Sequence, residues 1–292
     1  MFPKFEKEQG TVFCPYMKYT YYRMGFRRIN MSNNKEVNLF RVTASLYDLD
    51  QRNITQDDIS FYLEYASKLH GSILELACGT GRVIIPLAKE GYNIWGIDLS
   101  SEMLDQLKVK IENLQEEVKQ RIHITQADMT NFELGRAFSL IIIPFRSFQS
   151  LTSEEQQKAC LHTVHRHLSK DGHFIINVFK PYAHLDKSWI QPEALDWETV
   201  DPITGNKVRR THIRREIDLE NQIIYPELVY YVTGQDGIEE KIVEPLTLKY
   251  YYEEQMRNLL RSNGFKIVEE MGYYDRRPIS EGPELIFICK KE

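Results

Sequence analysis

The 292-residue chain lacks several features that mark large classes of protein. No hydrophobic run approaches the ~20 residues that a membrane-spanning helix needs, and the N-terminus lacks the apolar core of a secretory signal. None of its four cysteines stands in the CxxC spacing of zinc or redox sites: Cys14, Cys78, Cys160 and Cys289. We therefore expect no structural zinc, no membrane partner and a reducing compartment, for which the cytoplasm is the default.

An excess of basic charge is also missing. The formal net charge is -5, and the arginine pairs are scattered along the chain. Proteins that bind nucleic acid usually present a basic face, so this composition disfavours a nucleic-acid partner. A hydrophobic content of 42% and this length are typical of one α/β domain with an insertion.

A short apolar stretch, a glycine turn and the start of a helix follow one another between residues 72 and 90. Gly79 and Gly81 carry no Cβ, so a ligand can approach the backbone closely, and the helix start offers bare N–H groups. A second strand, predicted over 92–98, ends in Asp98, which is placed to accept hydrogen bonds from ribose hydroxyls. This order of elements predicts a nucleoside-binding half-domain.

Two residues decide between the possible nucleosides. The dinucleotide fingerprint requires a third glycine three residues after the second, and Ile84 stands at that position. Glu75 on the first strand points an acid into the turn, which would repel a pyrophosphate but suits an ammonium group. S-adenosylmethionine carries a ribose, an ammonium and a sulfonium, and it has no phosphate.

Three motifs then resemble the class I S-adenosylmethionine-dependent methyltransferases. They are residues 75–82 (Glu-Leu-Ala-Cys-Gly-Thr-Gly-Arg), 96–100 (Gly-Ile-Asp-Leu-Ser) and 126–129 (Gln-Ala-Asp-Met). Ala77 departs from the family, in which many members have a glycine, and we interpret it as a tolerated small residue. The resemblance covers roughly residues 44–292 and implies S-adenosylmethionine as cofactor. It implies cofactor contacts by Tyr47, Glu75, Ala77, Gly79, Gly81, Asp98, Leu99, Met103, Asp128, Met129 and Pro144.

The predicted fold is α/β, a Rossmann-like seven-stranded doubly wound sheet with a three-stranded antiparallel flap inserted after strand five. Core strands are predicted at 72–77, 92–98, 122–126, 138–143, 173–179, 265–271 and 285–290. Helices are predicted at 81–90, 101–120, 152–168 and 253–262, and flap strands at 208–218, 222–233 and 238–251.

We expect five segments: an N-terminal extension (1–40), lid helices (41–70), the cofactor-binding core (71–181), the flap that binds the acceptor (182–251), and a closing helix and hairpin (252–292). Residues 1–30 are interpreted as dispensable, or alternatively as packing over the acceptor site.

Methyl transfer needs an acceptor lone pair placed opposite the sulfur, and a base only if the acceptor must lose a proton. The predicted catalytic candidates are Gln149 in the loop after strand four, and Tyr182 and His184 after strand five. His212 on the flap is a further candidate, and Gln149 is a poor base. His162, His165 and His167 share one predicted helix, where we expect packing or solvated roles.

Residues 142–151, the flap and residues 250–275 resemble bacterial small-molecule methyltransferases, among which the amino-sugar N,N-dimethyltransferases are the most similar group. The resemblance implies methyl transfer to N or O of a small-molecule acceptor, by a monomer or homodimer without a metal. Two alternatives stay open: a module that binds the cofactor without turnover, and, less favoured, an RNA methyltransferase.

Overall fold

A mostly parallel sheet between two layers of helices is the centre of residues 38–292, the part of the chain that the computed structural model describes. The expectation for residues 1–30 lies outside these described residues. Within them, the chain begins with two short 3₁₀ helices, Ala44–Leu49 and Asn53–Thr55, before the first α helix. We call residues 38–52 the lid segment.

The core sheet has seven strands in the order β11-β12-β5-β4-β1-β2-β3. Their bounds are β1 Ile73–Leu76, β2 Ile94–Asp98, β3 Ile122–Gln126, β4 Phe138–Ile143, β5 Leu168–Phe179, β11 Phe265–Met271 and β12 Glu284–Lys291. Strands β1 to β5 are parallel, and β12 and β11 close the sheet in antiparallel register. The chain order reverses between β1 and β4, which is where ligands bind in open α/β sheets. The predicted seven-stranded Rossmann-like sheet is confirmed.

Six α helices cover the two faces of this sheet in the described residues. They are α1 Ile59–Leu69, α2 Ile84–Lys89, α3 Ser101–Glu112, α4 Glu116–Lys119, α5 Glu154–His167 and α6 Glu253–Ser262. Apolar residues of α1 to α4 pack on one face, and those of α5 and α6 pack on the other. The central strands are apolar at nearly every position because both of their faces are buried.

The insertion after β5 forms a separate antiparallel sheet, which we call the flap. Its strands are β6 Gln191–Val200, β7 Lys207–Asp218, β8 Ile223–Thr233, β9 Glu239–Pro245 and β10 Leu248–Lys249. The antiparallel insertion is confirmed, but it has five strands rather than three. The alternation of β6 is interrupted by two irregularities in its pairing with β7, and residues 246–247 divide the predicted last strand into β9 and β10.

Three further boundaries differ from the predictions. The predicted helix over 101–120 is interrupted, because Asn113 ends α3 and a separate short helix follows. Helix α2 begins at Ile84 rather than 81, since the glycine turn occupies the preceding residues. Strand β5 begins at Leu168, which pairs with Phe138, rather than at 173, so residues 168–172 are part of the strand.

Among residues 38–292, no helix is long and apolar enough to cross a membrane.

Candidate functional site

The turn between β1 and α2 takes an unusual backbone path. Gly79 and Gly81 have φ values of +53° and +92°, a region that favours glycine. A Cβ at Gly81 would lie 2.3 Å from the Cδ1 atom of Leu107 of α3, so any other residue would force that side chain to move and would also adopt a strained φ. Ala77 also has a positive φ, +57°. The position where the family often has glycine therefore requires a glycine-like conformation here too.

Glu75 lies at the base of this turn and is almost completely buried, with 2% exposure. Its Oε2 atom has no hydrogen-bond partner among the described residues. Burial raises the pKa of this carboxyl well above its ordinary value, and the nearby guanidinium of Arg82 acts in the opposite direction. A buried carboxylate oxygen without a partner is costly, and a ligand ammonium group would supply the missing partner.

Asp98 joins the end of β2 to the glycine turn. Its Oδ2 accepts a hydrogen bond from the N–H of Gly79 at 2.8 Å, and its Oδ1 accepts one from the N–H of Ser100 at 2.8 Å. Each carboxylate oxygen has two lone pairs, so both can still accept a hydroxyl of a ribose. Burial raises the pKa of Asp98, and these backbone hydrogen bonds lower it.

Four further residues predicted to contact the cofactor, Leu99, Met103, Asp128 and Met129, lie near the ends of β2 and β3. Leu99 follows Asp98 and is 49% exposed, an unusual exposure for leucine. Met103 is buried in the first turn of α3, and Asp128 is exposed after β3, with Met129 half-buried. The Oδ1 atom of Asp128 accepts from the backbone and hydroxyl of Thr130, which orients the carboxylate.

A small cavity connects the lid segment to the turn. Its lining comes from the lid segment, β1, the turn and the loop after β4: Tyr47, Glu75, Ala77, Cys78, Gly79, Thr80, Arg82, Pro144, Phe145 and Ser147. Five of the predicted cofactor residues therefore meet here, namely Tyr47, Glu75, Ala77, Gly79 and Pro144. Burial raises the pKa of the Tyr47 phenol to about 12, so it stays protonated and can donate a hydrogen bond.

Two ion pairs position this cavity, and our sequence reasoning did not identify either of them. Arg82 forms two hydrogen bonds, of 2.5 and 2.7 Å, to the fully buried Asp58 before α1. Arg146 pairs with the buried Glu284 of β12. The partners are 24 and 138 residues apart in the chain, so no local pattern could have revealed them.

Gln149 occupies a different place from the one expected of a residue that orients an acceptor. It is 1% exposed. Its amide nitrogen donates to the carbonyl of Lys249 at 2.7 Å, and its amide oxygen accepts from the N–H of Phe179 at 2.9 Å. Because the side-chain amide links the loop after β4 to both β5 and the flap, this geometry contradicts a catalytic role and indicates a structural one.

The other catalytic candidates do not line the cavity. Tyr182 is 72% exposed, and His184 is exposed and lies against the ring of Tyr252, with 4.8 Å between the ring centroids. The Cys78 thiol lines the cavity, but burial raises its pKa, which disfavours a nucleophile.

Other histidines have identifiable partners. His167 on α5 is buried, with its ring nitrogens 2.8 Å from the Thr163 carbonyl and 3.2 Å from the N–H of Leu134, so its predicted packing role is confirmed. His212 on the flap lies 2.8 Å from Asp196. No group of three or more His, Cys, Asp or Glu residues in the part of the chain described here could hold a metal ion.

Comparison with known proteins identifies methyltransferases as similar proteins. The family model described as "Methyltransferase domain" matches residues 73–172, from the first residue of β1 to the early part of β5. A protein of Geobacillus sp. (strain WCH70), named as a methyltransferase without a substrate, is 27% identical over 223 residues, which are 75% of this chain and 84% of that protein.

Two further similarities extend beyond the core. The dTDP-3-amino-3,4,6-trideoxy-alpha-D-glucopyranose N,N-dimethyltransferase of Streptomyces venezuelae is 27% identical over 182 residues, 60% of this chain and 73% of that enzyme. The X-ray structure of the sugar N-methyltransferase KedS8 from Streptoalloteichus sp. has a TM-score of 0.69 at 19% identity, covering 94% of this chain and all of that chain. The latter likeness shows that the two chains share their fold over most of this chain.

Replacing Gln149 by leucine tests its structural role. The change leaves the N–H of Phe179 and the carbonyl of Lys249 without partners, so we expect the free energy of unfolding to fall by about 2–4 kcal/mol. Urea unfolding followed by circular dichroism measures it. The control Gln120→Leu, at an exposed position after α4, should change stability little; equal effects of the two variants would contradict the assignment.

Replacing Ala77 by glycine tests the strain in the turn. A left-handed conformation costs an L-residue about 1–2 kcal/mol, and the greater freedom of glycine in the unfolded chain offsets about 0.4–1 kcal/mol. We therefore expect Ala77→Gly to raise the free energy of unfolding by about 0.5–1 kcal/mol. Ala66→Gly, in the middle of α1, should lower it; a loss in both variants would show that Ala77 is not strained.

Proposed function

We propose that the chain is a Rossmann-like S-adenosylmethionine-dependent methyltransferase and that it transfers the methyl group to an amine nitrogen of a small-molecule acceptor. Two curated relatives are named as N,N-dimethyltransferases of amino sugars carried on dTDP. A structural neighbour is named as a sugar N-methyltransferase. These names support an amino group on a sugar or a similar polar ring as the acceptor class.

We assign the cofactor contacts from the geometry of the turn. The observation that carries the assignment is the buried Glu75 Oε2 without a partner, which suits the methionyl ammonium. Gly79 and Gly81 allow close backbone approach, and Asp98 is positioned to accept from both ribose hydroxyls. For the adenine, we assign packing to Leu99, Met103 and Met129 and a hydrogen bond from the exocyclic amino group to Asp128.

The bound cofactor supplies an activated methyl group on its sulfonium. The chain's own contribution is to orient the two reactants and to exclude water. In this proposal Tyr47 covers the methionyl end from the lid segment, while Pro144 and Phe145 form the opposite wall. A neutral amine would form the new carbon–nitrogen bond with its lone pair while the methyl–sulfur bond breaks and S-adenosylhomocysteine is left. The product ammonium would then lose its proton to water, so no protein base is required. This agrees with the burial of Gln149 and with the absence of His184 from the residues that line the cavity.

Calorimetric titration with S-adenosylmethionine and with S-adenosylhomocysteine tests the cofactor assignment. Amino sugars, simple amines and phenols are then offered with cofactor labelled in its methyl group. Labelled N-methyl products are expected. Binding without transfer to any acceptor would favour the alternative of a cofactor-binding module, and binding of neither compound would contradict the proposal.

The cytoplasmic location and the monomeric or homodimeric state stay predictions from the sequence.

The burial of the Glu75 carboxyl leads us to expect that cofactor binding releases a proton. Burial raises the pKa of the carboxyl in the free protein, whereas a bound ammonium stabilises the carboxylate and lowers that pKa. The complex then holds fewer protons than the free protein, so affinity should increase with pH until the pH exceeds the raised pKa.

Titrations in phosphate and in Tris, whose ionisation enthalpies differ, measure this release. Work below about pH 7 keeps the cofactor's α-amino group protonated, because such groups titrate at about 7.7–8.0. Glu75→Gln should bind more weakly and release no proton, while Glu112→Gln, at an exposed position at the end of α3, should behave as the unchanged protein. Proton release that persists in Glu75→Gln would refute the assignment.

A further inference from the structure

The lid segment is attached to the flap by polar contacts that are distant in sequence. Asn38 exchanges two hydrogen bonds with the backbone of Thr247, at 2.8 and 2.9 Å. The hydroxyl of Thr43 donates to the carboxylate of Glu244 at 2.8 Å, and both residues are buried. Leu46 and Leu49 also pack against apolar flap residues. The lid segment and the inner face of the flap therefore form one interface.

Arg210 of β7 lies at the charged centre of this interface. Its Nη2 atom is 3.0 Å from Asp50 of the lid segment, and its Nε donates to Asp196 of the flap at 3.0 Å. The three side chains are 9%, 7% and 11% exposed. Arg52 pairs with Asp50 at 2.7 Å and lies 3.6 Å from Asp196. Two guanidinium groups thus neutralise two carboxylates across the interface.

Asp196 reaches this position because of an irregularity in the flap. The pairing of β6 with β7 shifts between Leu195 and Trp197, so Asp196 is the extra residue of a bulge. A bulge changes the direction of a side chain relative to a regular strand. The bulge residue contacts Arg210 and also lies 2.8 Å from His212. The flap therefore has a local departure from regular pairing at the point where it meets the lid segment.

The opposite side of the lid segment is attached to the cofactor turn. Asp48 accepts a hydrogen bond from the hydroxyl of Thr80 at 2.7 Å and pairs with Lys110 of α3 at 2.6 Å. Lys110 also donates to the carbonyl of Thr80 at 2.7 Å. Tyr47 lies between these two attachments, and its phenol feels the charges of both Arg82 and Arg210.

We propose that Arg210 is a positioning residue that couples the lid segment to the flap, so that cofactor binding orders the flap for the acceptor. The inference depends on one part of the proposed function, namely that Tyr47 and the glycine turn hold the cofactor. No flap residue lines the cavity described above, so the flap meets it through neighbouring segments: the lid segment, and the loop after β4 that Gln149 attaches to Lys249. The flap then forms its complete acceptor-binding face after the cofactor is bound, which predicts that the cofactor binds first.

The chemistry of guanidinium explains why arginine carries this role. Its donors are held in a rigid fork, so one side chain bonds Asp50 and Asp196 at fixed positions. When the lid segment moves away, Asp50 and Arg52 leave together, so Arg210 loses one of its two carboxylate partners and Asp196 loses a neighbouring guanidinium, and these lost contacts disfavour that state. A ligand that favours the closed lid segment therefore also favours the ordered flap, and the coupling must act equally in both directions.

The substitution Arg210→Lys keeps the positive charge but removes the forked guanidinium donors. Asp50→Asn makes the corresponding change from the lid side, and it carries the test if Arg210→Lys does not fold, as judged by circular dichroism. The matched control is Arg209→Lys, since Arg209 is the neighbouring residue on β7 with a side chain that is 46% exposed. Dissociation of radiolabelled S-adenosylmethionine into an excess of unlabelled cofactor is followed by filter binding. Amide hydrogen exchange of residues 44–50 and 207–218 is measured with and without cofactor.

In the unchanged protein and in Arg209→Lys, the cofactor should slow exchange in both segments. In Arg210→Lys and Asp50→Asn, cofactor dissociation should be about tenfold faster, and residues 207–218 should no longer respond to the cofactor. A merely structural role would lower stability but leave this response intact, and that result would overturn the coupling. If the unchanged protein binds no cofactor, the cofactor assignment is wrong, and the proposed coupling, which requires cofactor binding, is wrong as well.

Discussion

A buried carboxylate at the end of the first core strand is the constraint on which the site depends. Burial favours the protonated form of Glu75 in the free protein, and its carboxylate form needs a cation beside it, because an unpaired buried charge is costly. The same strand leads into a turn with positive φ values at Ala77, Gly79 and Gly81, where we propose that backbone N–H groups approach the cofactor. Asp98 then fixes that turn by accepting from Gly79. One short stretch thus combines a demand for an ammonium group with a place for a ribose.

Long-range charge pairs hold the elements around this stretch. Asp58 before α1 fixes Arg82, and Glu284 of β12 fixes Arg146, so both ends of the described chain support the loops at the carboxyl edge of the sheet. Asp48 and Asp50 attach the lid segment to the turn and to the flap, respectively. The protein uses buried or half-buried ion pairs where loops must meet, and apolar packing where helices cover the sheet.

The chemistry of methyl transfer is consistent with a site that has few reactive groups. The methyl group is activated by the cofactor itself, so placement and exclusion of water account for most of the required catalysis. Gln149, which the sequence suggested as an acceptor contact, instead connects β5, the flap and the loop after β4 through both of its amide atoms. Its burial shows why a polar residue in the expected loop is not sufficient to identify a catalytic group.

Local patterns in the sequence determined the order of strands and helices, the glycine turn, the acid after β2 and the nature of the cofactor, because each depends on residues close together in the chain. Tertiary structure alone decided the orientation of Gln149, the pairing of Arg82 with Asp58, and the bulge that brings Asp196 to Arg210. It also divided the flap into five strands rather than three. These features depend on contacts between residues distant in sequence, whose partners no local periodicity or motif specifies.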